Sequence, residues 1–337
     1  MSKNNSIGHN YKISNLRAFA ILVVVFGHSI IIFDGNWNYY SALYSSDVLE
    51  VIKHIINLFQ MQLFIFISGY CFYYSRNGLK QEGYYRFIKK KAKRLLIPFV
   101  VFALFWMIPI RMIAQYPYWS DCSIPEILLQ IITGKDSGHL WFCPALFIIM
   151  VIAGIIELCV SNKNIPKYVS VLFLMMLFMV SVVSIVFPGI FFIRDVAKYT
   201  AWFYLGYYMN SLRKDTSKWM YLEFIISALL ISISVSGLLN NMMPIKIIVD
   251  YIGALLLIVS AFYLAPKIGN RVVERVSKDS FGIYLFHSPM LYIVFCYFSY
   301  LRPAVMVSID FFVLLALSLI MTELLRKSKY MRIAIGE

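Results

Sequence analysis

The sequence predicts an all-α polytopic membrane protein of about ten transmembrane helices with both termini cytoplasmic, and three observations carry that prediction. Of 337 residues, 61% are hydrophobic and 14% charged, against roughly a quarter charged in an ordinary soluble domain, so a soluble fold would have more apolar surface than it can hide. The apolar residues gather into runs of about twenty, the length that crosses a hydrocarbon core. The basic residues, which bring the net charge to +14, form short clusters between those runs, as they do where positive loops stay on the cytoplasmic side.

Taken in order, the first run, 13–33, follows a polar leader and carries Arg17 near its start, with no small-residue cleavage site after it. It reads as a retained span rather than a removed signal peptide. The next runs are 55–75, 95–112, 139–160, 168–187, the short and Tyr-rich 196–212, 219–239, 245–264, 280–300 and 303–325. Placing the amino terminus inside puts Lys3, Lys12, the cluster from Arg76 to Arg94, Lys163, Lys167, Arg213, Lys214 and Lys218 on one side. Lys267, Arg271, Arg275, Lys278 and the cluster from Arg326 to Arg332 join them. Only Lys53, Arg111, Lys135, Arg194, Lys198, Lys246 and Arg302 fall to the other side. Charge laid out this way serves membrane orientation; the lipid bilayer is the implied partner, and no nucleic acid is expected.

The longest outer stretch, 111–138, is too short for a further domain, so residues 1–337 read as one integral domain, multi-pass in a cytoplasmic (inner) membrane. There is no convincing internal repeat. Four of the five cysteines sit in or beside apolar runs, with neither a disulfide framework nor paired Cys/His metal spacing. No metal is expected.

Ionisable groups inside spans are costly and face the bundle interior, which makes them the first places to look for chemistry. Arg17 and His28 are eleven residues apart. At about 100° and 1.5 Å per residue, they share a helix face and lie roughly 16 Å apart along the axis, with Arg17 in the inner half and His28 in the outer. Two readings stay open. Arg17 snorkels to the surface and His28 bonds a neighbouring helix, or Arg17 anchors an anionic ligand while His28 acts deeper as base or acyl carrier.

The stretch from Asn15 through Arg17 to His28 and Ser29 resembles the opening signature of the membrane acyltransferase 3 family. Four further segments resemble that family's motifs in order: Phe64-Ile-Phe-Ile-Ser68-Gly69-Tyr70; Lys91-Ala-Lys-Arg94 running to Pro98, with Lys91 where the motif has arginine; His139-Leu-Trp141; and Gly282-Ile-Tyr284-Leu-Phe-His287. The resemblance covers nearly the whole chain. It implies a membrane O-acyltransferase that moves an acyl group, commonly acetyl from acetyl-CoA, onto a hydroxyl of a cell-surface glycan or a lipid-linked sugar. His28 and Arg17 are the catalytic candidates. Arg17, Lys91, Arg94, Ser68, Gly69 and His287 are candidates for holding the acyl-CoA, and His139 and Trp141 for the acceptor.

Blander roles stand beside each of these. Basic clusters set topology or meet anionic lipid, Ser-Gly pairs allow close helix packing, and a Trp near a span end anchors at the interface. A carboxylate to orient His28 is expected, and Asp34, Asp250 and Asp310 all lie in the outer half. The rival class is a proton-coupled transporter or flippase of a glycan or lipid intermediate, which would use intramembrane Arg and His without depending on acyl-CoA.

Overall fold

The computed structural model of the chain describes residues 11–160, 165–212 and 219–337. Of the basic residues used above for orientation, Lys3, Lys163, Arg213, Lys214 and Lys218 lie outside them. The described residues form helices and no strand: α1 (Tyr11–Ser29), α2 (Asp47–Asn57), α3 (Gln60–Glu82), α4 (Tyr84–Phe102), α5 (Ile108–Ile113), α6 (Ile124–Thr133), α7 (Phe142–Val160) and α8 (Lys167–Val182). They continue with α9 (Ile193–Leu212), α10 (Met220–Val235), α11 (Met243–Leu264), α12 (Arg271–Tyr297), α13 (Pro303–Ser308), α14 (Leu314–Arg326) and α15 (Lys329–Ala334).

Each of the ten predicted spans falls on a helix or a pair of helices in series, and among the described residues seven stretches are long and apolar enough to cross a membrane. They are Asp47–Glu82, Tyr84–Ile113, Ile124–Val160, Lys167–Val186, Met243–Leu264, Arg271–Tyr297 and Pro303–Arg326. The other three differ for local reasons. α10 has 16 residues; α1 carries Lys12 and Arg17; α9 carries Arg194, Asp195, Lys198 and a series of tyrosines.

Local chemistry explains the breaks. Ser46 caps α2 by accepting from the Leu49 amide. Ser123 and Glu126 form a reciprocal capping box on α6, with a proline in its first turn. Asn270 accepts from the amides of Val272 and Val273 and so starts α12 ten residues before the apolar part of that helix. Pro98 sits inside α4, and a π-helical turn at Ala103–Met107 carries α4 on into α5.

Burial sorts the helices into a centre and a lipid-facing rim. The apolar window of α12 is 72% buried and that of α8 only 11%, leaving Leu172, Met175, Met176 and Met179 of α8 exposed. An outward apolar stripe of this kind suits contact with lipid tails. α12 packs along α1 and α14, α3 on α9, α4 on α7, and α10 on α11. Asn15 donates to the carbonyls of Pro266 and Ile268 (2.7 and 3.2 Å), which ties the start of α1 to the loop before α12.

The α3–α9 contact is backbone against backbone. A Cβ on Gly69 would stand 1.8 Å from the Phe203 carbonyl oxygen, and one on Gly206 would stand 1.9 Å from that of Phe66. Small residues allow such an approach, and nothing larger fits.

Candidate active site

Where α1, α3, α4, α7 and α12 meet near their basic ends, a cavity of about 180 Å³ is lined by Arg17, Ser68, Cys71, Lys91, Arg94, Lys278, Ser280 and Tyr284, among others. Helical periodicity explains why these residues converge. Lys91 and Arg94 are three residues apart on α4, and Ser277, Ser280 and Tyr284 follow one face of α12. Arg17 donates to Cys71 Sγ at 3.6 Å. Among the described residues, four cations and no carboxylate line the cavity, so it attracts anions. Lys89 and Lys90 are exposed and outside that lining, and Lys90 pairs with Glu82 at 2.6 Å. Behind Lys278, the buried Asp279 pairs with Arg326 at 2.6 Å, and Arg326 also holds Glu337 at 2.6 Å.

The motif expected to contact the donor therefore divides. Ser68 lines the cavity, its hydroxyl turned back to the Phe64 carbonyl at 2.9 Å. Gly69 is not among the lining residues and lies against α9.

A second cavity, of about 230 Å³, is lined by His28, Trp37, Tyr39, Arg111, Tyr116, Asp136, Gly138, His139, Trp141 and Tyr292, among others. Here three imidazoles come together. His28 Nδ1 lies 2.7 Å from His287 Nε2, with the rings 15° from parallel. His287 Nδ1 faces the carbonyl oxygens of Ile283 and Tyr284 at 2.9 and 3.0 Å. His139 Nε2 contacts the Leu285 carbonyl at 3.2 Å, its ring 5.8 Å from that of His287. His287, expected to hold the donor, is not among the residues lining the basic cavity; it lies level with His28, where α12 packs along α1.

Pro289 supplies the reason for the His139 contact. In a regular helix the Leu285 carbonyl would accept from residue 289, but proline has no N–H to give. The freed carbonyl accepts from His139. One residue on, the Phe286 carbonyl accepts from Trp106 Nε1 at 3.0 Å.

None of the three carboxylates proposed as a partner for His28 is in hydrogen-bond contact with it. Asp34 accepts from Asn36, Asp250 accepts from Ser234, and neither Asp310 oxygen has a hydrogen-bond partner among the described residues. The neighbour that bonds His28 is an imidazole.

The sequence reading also missed Arg111, counted there as an outer charge. It is 1% exposed, donates to Asp136 at 3.0 Å and to the Tyr292 hydroxyl at 3.1 Å, and lies 4.2 Å from the Tyr116 ring centroid. Gly138, at φ +52°, leaves it room: a Cβ there would be 2.4 Å from Nη2. The position of Arg111 at the end of an apolar run was the available signal. Lys278 was likewise counted only toward topology, although it lies two residues before the Ser280–His287 segment. Trp141 stacks on Tyr199, centroids 4.9 Å apart.

One aromatic wall separates the cavities. Tyr284 lines the basic cavity, packs on Phe142 with centroids 5.4 Å apart, and donates its hydroxyl to the His139 carbonyl on the far side. Cation-lined space and an imidazole cluster on opposite sides of such a wall, inside an apolar helical bundle, describe a membrane-embedded group-transfer protein.

The match to known families agrees. The model of the acyltransferase domain (acyltransferase 3) matches residues 10–323, nearly the whole chain, and the chain belongs to that family. It is a membrane acyltransferase. No curated protein and no solved structure gave a match.

Proposed function

We propose that the protein takes an acyl group, acetyl in the simplest case, from cytosolic acyl-CoA at the basic cavity and transfers it to a hydroxyl of a cell-surface glycan or lipid-linked sugar in the imidazole cavity. The observation that carries this reading is that Arg17 and His28, on one face of α1, line two cavities linked by Tyr284, which lines the first and bonds the backbone of His139 in the second. Their axial separation, about 16 Å, is of the order of an extended pantetheine arm.

Arg17, Lys91, Arg94 and Lys278 would meet the donor's phosphates through charge-assisted hydrogen bonds, with Ser68 beside the arm. His28, at the wall, would take the acyl group or the proton of the attacking hydroxyl. Trp37, Tyr39 and Trp141 offer flat faces to a sugar ring, and His139 borders the same space. The positive-inside pattern supports a basic cavity that faces the cytosol, and a cytoplasmic membrane is the proposed location.

The test uses purified protein in nanodiscs with radiolabelled acetyl-CoA. Thioester consumption should vanish in His28→Ala and Arg17→Ala. Lys278→Ala should raise the donor KM about tenfold, the loss of one charge-assisted contact of roughly 1.5 kcal/mol. Wild-type protein that neither binds nor consumes an acyl-CoA would overturn the reading.

A further inference from the structure

The hydrogen-bond pattern around His287 determines where the protons of the imidazole pair sit. Its Nδ1 faces two carbonyl oxygens, at 2.9 and 3.0 Å. A carbonyl only accepts, so Nδ1 carries a hydrogen. The ring is fully buried, and no carboxylate is in hydrogen-bond contact with it among the described residues. A lone buried charge is costly, and the ring is therefore neutral, with an unshared pair on Nε2. That nitrogen lies 2.7 Å from His28 Nδ1, so His28 Nδ1 is the donor. No carboxylate is in hydrogen-bond contact with His28 either among the described residues, so its ring is neutral for the same reason, and its remaining nitrogen, Nε2, holds an unshared pair at the edge of the imidazole cavity that His28 lines.

We propose that His287 is a positioning residue that fixes His28 in the Nδ1–H form and leaves Nε2 as its one basic and nucleophilic atom. This deepens the acyltransferase reading and rests on it for its catalytic meaning. A neutral imidazole anchored on helix carbonyls does here what a carboxylate does elsewhere, without placing a formal negative charge within the bundle.

The chemistry balances on either course open to His28. As base, Nε2 takes the acceptor hydroxyl proton while the oxygen–acyl bond forms and the thioester C–S bond breaks, and the proton then passes to the departing thiolate. As carrier, Nε2 bonds the acyl carbon, the thiolate leaves, and the acceptor hydroxyl displaces the imidazole, its proton going to the thiolate. Both courses make the His28 ring transiently positive, and the Nδ1–H···Nε2 bond to His287 strengthens with that charge.

The tautomer can be read directly with ¹⁵N-histidine NMR of the full chain in nanodiscs without any acyl-CoA, the His28 signals being identified by their disappearance in His28→Gln. The expected result is a protonated Nδ1 and a bare Nε2 in wild type. That pattern should survive in His287→Gln, whose amide oxygen replaces the acceptor. In His287→Leu it should shift toward the Nε2–H form. A wild-type His28 protonated on Nε2, or an unchanged tautomer in His287→Leu, would overturn the proposal.

In turnover, His287→Gln should retain activity to within about tenfold, the scale of one weakened hydrogen bond. His287→Leu should lose at least about a hundredfold in kcat at an unchanged melting temperature, since a wrongly held catalytic imidazole can cost up to about 10⁴. A folded His287→Leu with full kcat would refute the positioning role. Wild-type protein that is inert toward acyl-CoA would sink the proposed function and leave the NMR result standing.

Discussion

Replacing Gly69 by alanine tests whether the Ser-Gly segment of α3 serves the donor or the packing of the bundle. The added Cβ would stand 1.8 Å from the Phe203 carbonyl oxygen, whereas carbon and carbonyl oxygen approach comfortably only to about 3.3 Å. The two helices must therefore separate locally by about 1.5 Å. Backbone cannot rotate out of the way as a side chain does, so the cost belongs at or above the upper end of the usual overpacking penalty, about 3 kcal/mol. At about 2 °C per kcal/mol for a large chain, Tm should fall by roughly 5 °C or more, read by intrinsic fluorescence in one detergent. Ser68→Ala is the control, because its hydroxyl only returns to the Phe64 carbonyl, and its Tm should stay within about 1 °C, as for a substitution worth some 0.5 kcal/mol. A Gly69→Ala variant with unchanged Tm and a raised donor KM would refute the packing argument and return Gly69 to the donor site.

Three more expectations follow from single contacts. Pro289→Ala restores an N–H that competes with His139 for the Leu285 carbonyl, so thermal stability should hold or rise while kcat falls about tenfold, a hydrogen bond's worth; unchanged kcat would show that the contact is idle. Gly138→Ala sets a Cβ against Arg111 at a positive φ and should weaken the acceptor-dependent rate with little change in acyl-CoA binding measured by calorimetry, whereas equal loss of donor binding would point to general collapse. Glu337 is held below the ordinary carboxylate range by its hydrogen bond from Arg326. Its contribution to stability is thus complete at neutral pH and is lost as pH falls through the depressed value. Glu337→Gln should lower Tm at neutral pH and flatten the acid limb of Tm against pH; parallel curves would exclude the pair as a source of acid lability.

Much of the scaffold could be read from the sequence because lipid imposes a length and an apolar pattern that tertiary contacts do not rewrite. The shared face of Arg17 and His28 followed from helical arithmetic, and the two residues line different cavities along α1. What could not be read were relations between helices. The partner of His287 depends on how α12 lies against α1, so its bond to His28 could not be read from either segment alone. Arg111 shows as an isolated charge until Asp136, Tyr116 and Tyr292 arrive from elsewhere in the chain. Pro289 is conspicuous in the sequence, but its effect needs to be known together with the position of His139. Gly69 is legible as a small residue, though only α9 reveals what it is small for.

The stretch of α12 from Ile283 to His287 is the common reference for all three imidazoles. His287 belongs to it and rests on two of its carbonyls, His139 rests on a third, and His28 is held through His287. The cluster is built like parts clamped in a single jig. A tilt or slide of α12, as a bilayer thickens or thins, carries its own reference points together, while His28 keeps its distance to Arg17 on α1, so the His28–His287 bond is the joint at which the mechanical state of the membrane reaches the cluster.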